Sequence, residues 1–473
     1  MEETEKIAVE PLLAKYFACA EQTETLKYAG FVSKVQGLLI ESRGPISVIG
    51  EVCKIAIPSV SSIPVSSMES SLEKKEKEVF AEVVGLNGAT VQLMPYGDTQ
   101  GIAVGARVTA TGRRLEVPVS EKLLGRVVGP LGDPVDGGGP VDAEQRYPVI
   151  APPPPAITRE PITRQIVTGI RAIDGLLAVG RGQRLGVFAG SGVGKSTFQA
   201  MIARNTNAQV NVVALIGERG RELRDFIEND LGPEGMARTV IVVSTGDENP
   251  LARLRGAYTA TAIAEYFRDQ GNDVMFLFDS ITRFARAMRE IGLTTGEPPA
   301  QRGYPPSVFD SMQKLLERSG TASCGTITAF YTVLVDGDDL DEPVSDTVRG
   351  ILDGHIVLSR VLAERAHYPA IDIPASKSRL SSTVAGKVTK KAAQAVLRLI
   401  SAYNEIEDMI NLGAYKIGTN PAVDEAIAKH EAIEAFLTQA VDEKSSLEET
   451  LRALGTIAEI EIPPEEMGPY VKI

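Results

Sequence analysis

Hydrophobic and polar positions follow three different patterns along the chain. From Tyr28 to about Gly112 they form short alternating runs broken by glycine, FVSKVQGLLIE, VIGEVCKI, VFAEVVGLNGATVQLMP and ARVTATG. Several short strands at such close spacing predict a small β-barrel. From Gly182 onward the apolar runs are continuous and separated by helical periodicity. Strands are predicted at 185–188, 211–216, 240–244, 273–278, 326–335 and 355–360, with helices at 221–231, 252–268 and 281–291. Strands apolar on both faces and divided by helices imply an α/β fold with a parallel sheet covered on both sides. Beyond Val384 apolar positions recur three and four apart over 393–412 and 422–454, which predicts a helical bundle.

The connecting segments have their own chemistry. In residues 1–27, Leu12, Leu13, Tyr16, Phe17 and Ala20 recur at helical spacing, a stripe to be buried on the chain's own domain or on a partner. The serine-rich, then charged insertion at 58–77 is too polar for a core and reads as a mobile loop. The stretch 123–142, with GRVVGPLGDPVDGGGPVD, is turn chemistry, and Pro152 to Pro155 reads as an extended linker. Loop 292–307 carries too many prolines to be regular, and loops of that length are commonly functional. The acidic run 336–341 lacks the ligand spacing of a calcium loop and reads as a solvated turn.

A chain of 473 residues exceeds what one core usually serves, so several domains are expected. No apolar run approaches the roughly 20 residues of a membrane span, and the acidic start MEETEKIAVE lacks a secretion signal's apolar core, so a cytoplasmic protein is expected. Three cysteines (Cys19, Cys53, Cys324) and three histidines (His355, His367, His430) show neither disulfide nor metal spacing and read as structural. A net charge of −13 argues against a protein that coats nucleic acid.

The chemistry concentrates where the strand at 185–188 empties into Ala189-Gly190-Ser191-Gly192-Val193-Gly194, followed by Lys195-Ser196 and a helix. Glycines let successive N–H groups turn inward and the helix adds its positive end, so the loop is a cradle for a polyphosphate. The pattern usually begins with glycine; Ala189 keeps the small size that position needs. Lys195 reaches the β- and γ-phosphates in such loops and Ser196 offers its hydroxyl to Mg²⁺. Ligands of parallel sheets sit at the carboxyl ends of the strands. Asp279, ending the run VMFLF, is there a candidate for holding Mg²⁺, or else a helix cap. Glu218, after the strand at 211–216, is the candidate to orient the attacking water. Tyr368 offers a flat face for a base.

Taken together, TGIRAIDGLL, FAGSGVGKST, ALIGERGRE, FLFDSITRFARA, GEPPAQRGYPPSVF, ITAFYTVLVDGDDLDEPVSDTVRGILDGHIVLSR and HYPAIDIPASKSRL resemble the ATPase of type III protein export, found at the bacterial flagellum and in the injectisome. That family is itself similar to the catalytic subunits of rotary ATP synthases, and the resemblance spans residues 31–454. It implies a terminal partner-binding segment (1–27), a β-barrel (28–112), a RecA-like P-loop NTPase domain (113–383) and a helical C-terminal domain (384–473). It implies ATP and Mg²⁺, held by Gly190, Ser191, Gly192, Val193, Gly194, Lys195, Ser196 and Thr197, with Ser196, Asp279 and Glu222 toward the metal. Glu218 matches the glutamate that polarises water, Arg219 and Arg283 its supporting neighbours, and Tyr368 the residue packing on adenine. Arg379 matches an arginine finger given by the adjacent subunit, a device worth about 10³ to 10⁵ in rate.

A homohexamer with shared sites is therefore implied, nearly inactive as a monomer. The family also implies a stator-like regulator at 1–27, a central coiled-coil stalk, export substrates with chaperones, and a cytoplasmic enzyme peripheral at the inner-membrane export gate. Flagellar export is the first expectation and injectisome export the alternative. A rotary ATPase subunit is disfavoured by the export-type loops, and a hexameric nucleic-acid motor by the acidic balance and the lack of an aromatic and basic strand platform. Glu218 argues against a subunit without turnover, and no NKxD-type guanine signature points to a GTP switch.

Overall fold

The computed structural model describes residues 28–57, 77–143, 145–335, 337, 339 and 341–468. The expectations for 1–27 and for the serine-rich insertion up to residue 76 lie outside the described residues, as do Asp336, Asp338 and Leu340 of the acidic turn. The chain divides at Arg114 into two compact units.

In the first unit, β1 (Ala29–Gln36), β2 (Leu39–Arg43), β3 (Glu51–Ile57), β4 (Lys77–Asn87), β5 (Thr90–Pro95) and β6 (Arg107–Arg114) close into a barrel in the order β1-β2-β5-β4-β3-β6. Alternation sends Val32, Ile40, Ile55, Val83, Leu93 and Val108 inward, where they form a buried core. The expected barrel is present. Cys53 lies in that core, where burial pushes its thiol up to about 12.

The second unit starts with two short ribbons, β7 (Glu116–Val119) on β9 (Gln145–Pro148) and β10 (Gln165–Ile166) on β11 (Val179–Gly180); β8 (Val127–Val128) falls between β7 and β9 in sequence but belongs to the main sheet. Its main sheet adds β12 (Arg184–Ala189), β13 (Val210–Glu218), β14 (Thr239–Thr245), β15 (Asp273–Asp279), β16 (Gly320–Thr321), β17 (Thr326–Leu334), β18 (Gly354–Leu358) and β19 (Ile371–Ser378). The order is β19-β18-β12-β17-β15-β13-β14-β8, parallel except for β19, with β16 antiparallel beside β17. The central strands β12, β13 and β15 are almost wholly buried, as continuous apolar runs require. Helix Pro250–Asp269 packs across β13, β14 and β15, started by Asn249, whose side chain accepts from Ala252 N at 3.0 Å.

Three expectations need correction. The stretch 123–142 is not turns alone: Val127 and Val128 form the outer strand β8, parallel to β14. The helix expected at 221–231 is helical from Gly220, widens over Phe226–Leu231 and continues through Gly232–Ala237. The periodicity over 422–454 belongs to two helices, Pro421–Leu437 and Leu447–Ala458, parted by an irregular segment. Ser446 begins the second, with Glu449 closing a reciprocal cap.

The helical part rests on the same core as the sheet. The N-terminal end of helix Lys387–Asn411 is capped by Glu466, whose carboxylate accepts from Thr389 N at 2.8 Å and Val388 N at 3.1 Å. A buried ion pair joins Arg318, 1% exposed, to Glu265, with Nε donating to Oε1 at 2.9 Å and Nη1 to Val149 O at 2.7 Å. Among the described residues no helix is long and apolar enough to cross a membrane.

Candidate active site

The cradle is the bend between β12 and helix Lys195–Asn205. Gly192 and Gly194 have φ of 81° and 86°, a region that glycine alone enters without strain. At Gly194 the backbone alone sets the requirement, since a Cβ there would touch the Tyr368 ring at an ordinary contact distance of 3.5 Å. The first N–H groups of the helix have no partners within it and mark an anion site at its start.

Three charged side chains converge on this bend from three elements. Asp279, ending β15, is 2% exposed, and its Oδ1 takes the Lys195 ammonium at 2.6 Å and the Thr332 hydroxyl at 2.7 Å. The helix that follows is capped by Ser280, which accepts from Arg283 N at 3.3 Å. The alternative of Asp279 as a cap is therefore displaced by its neighbour, leaving the carboxylate for Lys195. Thr332 was not singled out from the sequence; Thr328 and Tyr331 also carry hydroxyls in the buried centre of β17, and only the register of β17 on β15 sets Thr332 beside Asp279.

Glu218 follows Gly217, whose φ of 76° shifts the register of β13 on β14. A Cβ on Gly217 would meet the Arg283 side chain at 3.1 Å, so this glycine lets Arg283 pack close. Glu218 Oε1 stands 3.6 Å from Lys195 Nζ and 3.9 Å from Arg283 Nε. Burial, then the Asp279 charge, raise its pKa above the usual carboxylate range, against the pull of Lys195 and Arg283.

Arg219 and Glu222 stand at the rim instead. Arg219 is 71% exposed and pairs with Glu222 at 3.4 Å. Glu222 still shares the wall of a small cavity with Ser196, Glu218 and Asp279.

Beside the cradle opens an apolar cavity of about 570 Å³, walled by Val193, Thr197, Phe198, Met201, Tyr368 and the segment 438–441. Tyr368 is held by its carbonyl, which accepts from Gln439 N at 2.8 Å. That wall is the irregular break between the two C-terminal helices, a contribution that helical periodicity concealed. The neighbouring His367 pairs with Glu434 at 2.9 Å, His430 stacks on Tyr403, and His355 meets Phe188 edge-on.

Arg379 is not in this group. It is exposed, with its N–H donating to Asp353 O at 3.0 Å and Nη2 to Arg349 O at 3.2 Å. Because β19 runs antiparallel to β18, Arg379 lies at the end of the sheet away from the cradle. Five residues of strand separate the two levels, roughly 16 Å at about 3.3 Å each.

Residues 169–378 match the ATP synthase alpha/beta family, nucleotide-binding domain, and residues 32–112 its beta-barrel domain. Residues 386–456 match the T3SS EscN ATPase C-terminal domain. The flagellum-specific ATP synthase of Treponema pallidum is 55% identical over 97% of this chain and 99% of its own length. The chain belongs to the type III secretion ATPases of the ATP synthase alpha/beta family. A second family member, the flagellum-specific ATP synthase of Bacillus subtilis, is 50% identical over 93% of this chain and 97% of its own. The assembled ATPase EscN of enteropathogenic E. coli, solved with its central stalk EscO, superposes with a TM-score of 0.82 at 40% identity, covering 91% of this chain and all of that one. Like the family to which it belongs, this chain is an ATPase.

Proposed function

We propose that the chain hydrolyses ATP for flagellar protein export, as a ring of identical copies whose active sites are completed by neighbours. The observation that carries this is the meeting of Lys195, Asp279 and Glu218 at one bend, from elements 84 residues apart in the case of Lys195 and Asp279. On this reading the cradle N–H groups and Lys195 bind the β- and γ-phosphates, and Tyr368 packs on adenine in the apolar cavity. Glu218 orients the attacking water and takes its proton, which its raised affinity for a proton favours. Arg219 and Arg283 support the γ-phosphate.

Ser196, Asp279 and Glu222 supply a hydroxyl and two carboxylates, the hard oxygen donors that suit Mg²⁺. Held by these groups at the cradle, the ion would neutralise phosphate charge. Arg379 is too far along the sheet to reach its own cradle, which supports its use as a finger in an adjacent copy's site. A hexamer fits this reading, with a central stalk as in the EscN complex. A stator-like regulator at 1–27, export substrates with chaperones, and a place at the inner-membrane export gate complete the proposal. The names of the Treponema and Bacillus relatives favour a flagellar over an injectisome machine.

The test is ATP hydrolysis by the purified full chain across protein concentrations, with molar mass measured alongside. A rate per chain that rises as rings form supports shared sites; the same rate from monomers would count against them. Loss of flagellar filaments on deletion in the native host would support the flagellar assignment, and intact filaments would remove it.

A further inference from the structure

Within the cradle helix the run Phe198–Ala203 is apolar except for one residue, Gln199. Its side chain is 0% exposed, yet neither Nε2 nor Oε1 meets a hydrogen-bonding group of the protein. An amide buried in this way is costly unless something answers it. Gln199 lies three residues after Ser196, on the same face of the helix, and both line the small cavity behind the cradle. The cavity has about 20 Å³ and is walled by Gln199, Ser196, Glu218, Glu222, Thr245 and Asp279. A water needs about 10 to 15 Å³ on this measure, so one fits. Glu218 Oε1, in the same wall, is likewise without a hydrogen-bonding protein group. A donor and an acceptor, both unanswered, thus border one space of the right size.

We propose that Gln199 is a positioning residue that holds the Glu218 carboxylate through a single enclosed water. The amide N–H donates to the water, and the water donates to Glu218 Oε1. Gln199 then fixes the direction of the carboxylate without touching nucleotide. This rests on the reading of Glu218 as the base.

The test uses the full chain carrying Gln199→Met, which keeps the length of the side chain, and Gln199→Leu as a second variant. The expected result is a fall in kcat of about tenfold with KM within about twofold, the split of a positioning defect. The acid limb of the kcat/KM profile moves up by about one pH unit, because an ionised Glu218 has lost a donor. Melting without nucleotide gives a separate readout: the variants melt lower if the amide is bonded, and at the same temperature or higher if it is not. Unchanged kcat, an unmoved acid limb and undiminished melting in Gln199→Met would overturn the proposal.

Glu218→Gln separates the two readings. If that variant turns over normally, Glu218 loses its role as base, while non-additive melting of Glu218→Gln with Gln199→Met would still report the link between the side chains. If Glu218→Gln is inactive and the melting effects are additive, only the link falls.

Discussion

Lys195 Nζ is bonded to Asp279 Oδ1 at 2.6 Å and stands off from Glu218 Oε1 at 3.6 Å. The unequal pairing divides two carboxylates that would otherwise compete for the same cation. Asp279, buried and held by Lys195 and Thr332, is fixed, whereas Glu218 Oε1 takes no hydrogen bond from a protein group.

Glu218→Gln keeps the shape of the side chain and removes the base. Nucleotide affinity is expected to stay within about threefold, while kcat falls by about 10² to 10⁴, the usual worth of a positioned base. Equilibrium binding of a fluorescent ATP analogue, measured beside phosphate release, checks both halves.

The pH dependence follows from the raised Glu218 pKa. A base works ionised, so activity is lost as pH falls through its pKa, and a raised pKa sets that loss above the ordinary carboxylate range. Arg283→Met removes a cation 3.9 Å away that favours ionisation, so the acid limb is expected to move to still higher pH. Profiles of kcat/KM for the two proteins, taken at one ionic strength, make the comparison.

Arg379→Ala is expected to bind ATP normally and to lose about 10³ in rate if the arginine completes a neighbour's site. Lys195→Ala fails at the binding step, so each variant is inactive alone. Mixed rings contain places where an intact cradle meets an intact finger, and hydrolysis should partly return on mixing. Mixtures as inactive as their components would put Arg379 outside the site.

Tyr368→Ala should weaken ATP binding by up to about tenfold, the scale of one aromatic contact, with kcat little changed. Tyr368→Phe should bind as the parent does, because it keeps the aromatic ring in the wall of the apolar cavity. A loss in the phenylalanine variant, seen by calorimetric titration, would assign the role to the hydroxyl.

Stability depends on a buried pair outside this group. Arg318→Met leaves Glu265 buried without its cation and is expected to cost about 3 to 5 kcal/mol. Replacing both, as Arg318→Met with Glu265→Leu, should recover most of that loss. Denaturant titration of the single and double variants measures it.

The elements legible in the sequence are those whose signal is local. The barrel strands alternate, β13 and β15 are unbroken apolar runs, and the cradle is a contiguous string of small residues ending in Lys195 and Ser196. What escaped depends on distance or on brevity. Val127 and Val128 are too few to carry a period and become a strand only because β14 offers an edge. Arg318 and Glu265 are 53 residues apart, and nothing in the sequence near either one announces that they meet. The break at 438–446 kept helical composition on both sides, so its place in the wall of the base cavity was hidden. Gln199 was hidden in a similar way, one polar residue in an apolar helix whose surroundings only the fold supplies.

The antiparallel return of β19 along β18 has a mechanical consequence. Tyr368 stands just before the strand at the cradle end, and Arg379 just after it at the other. A short hydrogen-bonded ladder thus acts as a rigid ruler between what a chain keeps for its own nucleotide and what it lends to the next. On the shared-site reading, tilting one copy as its pocket closes would carry the far end of that ruler with it, so that the state of each pocket is passed around the circle as a displacement.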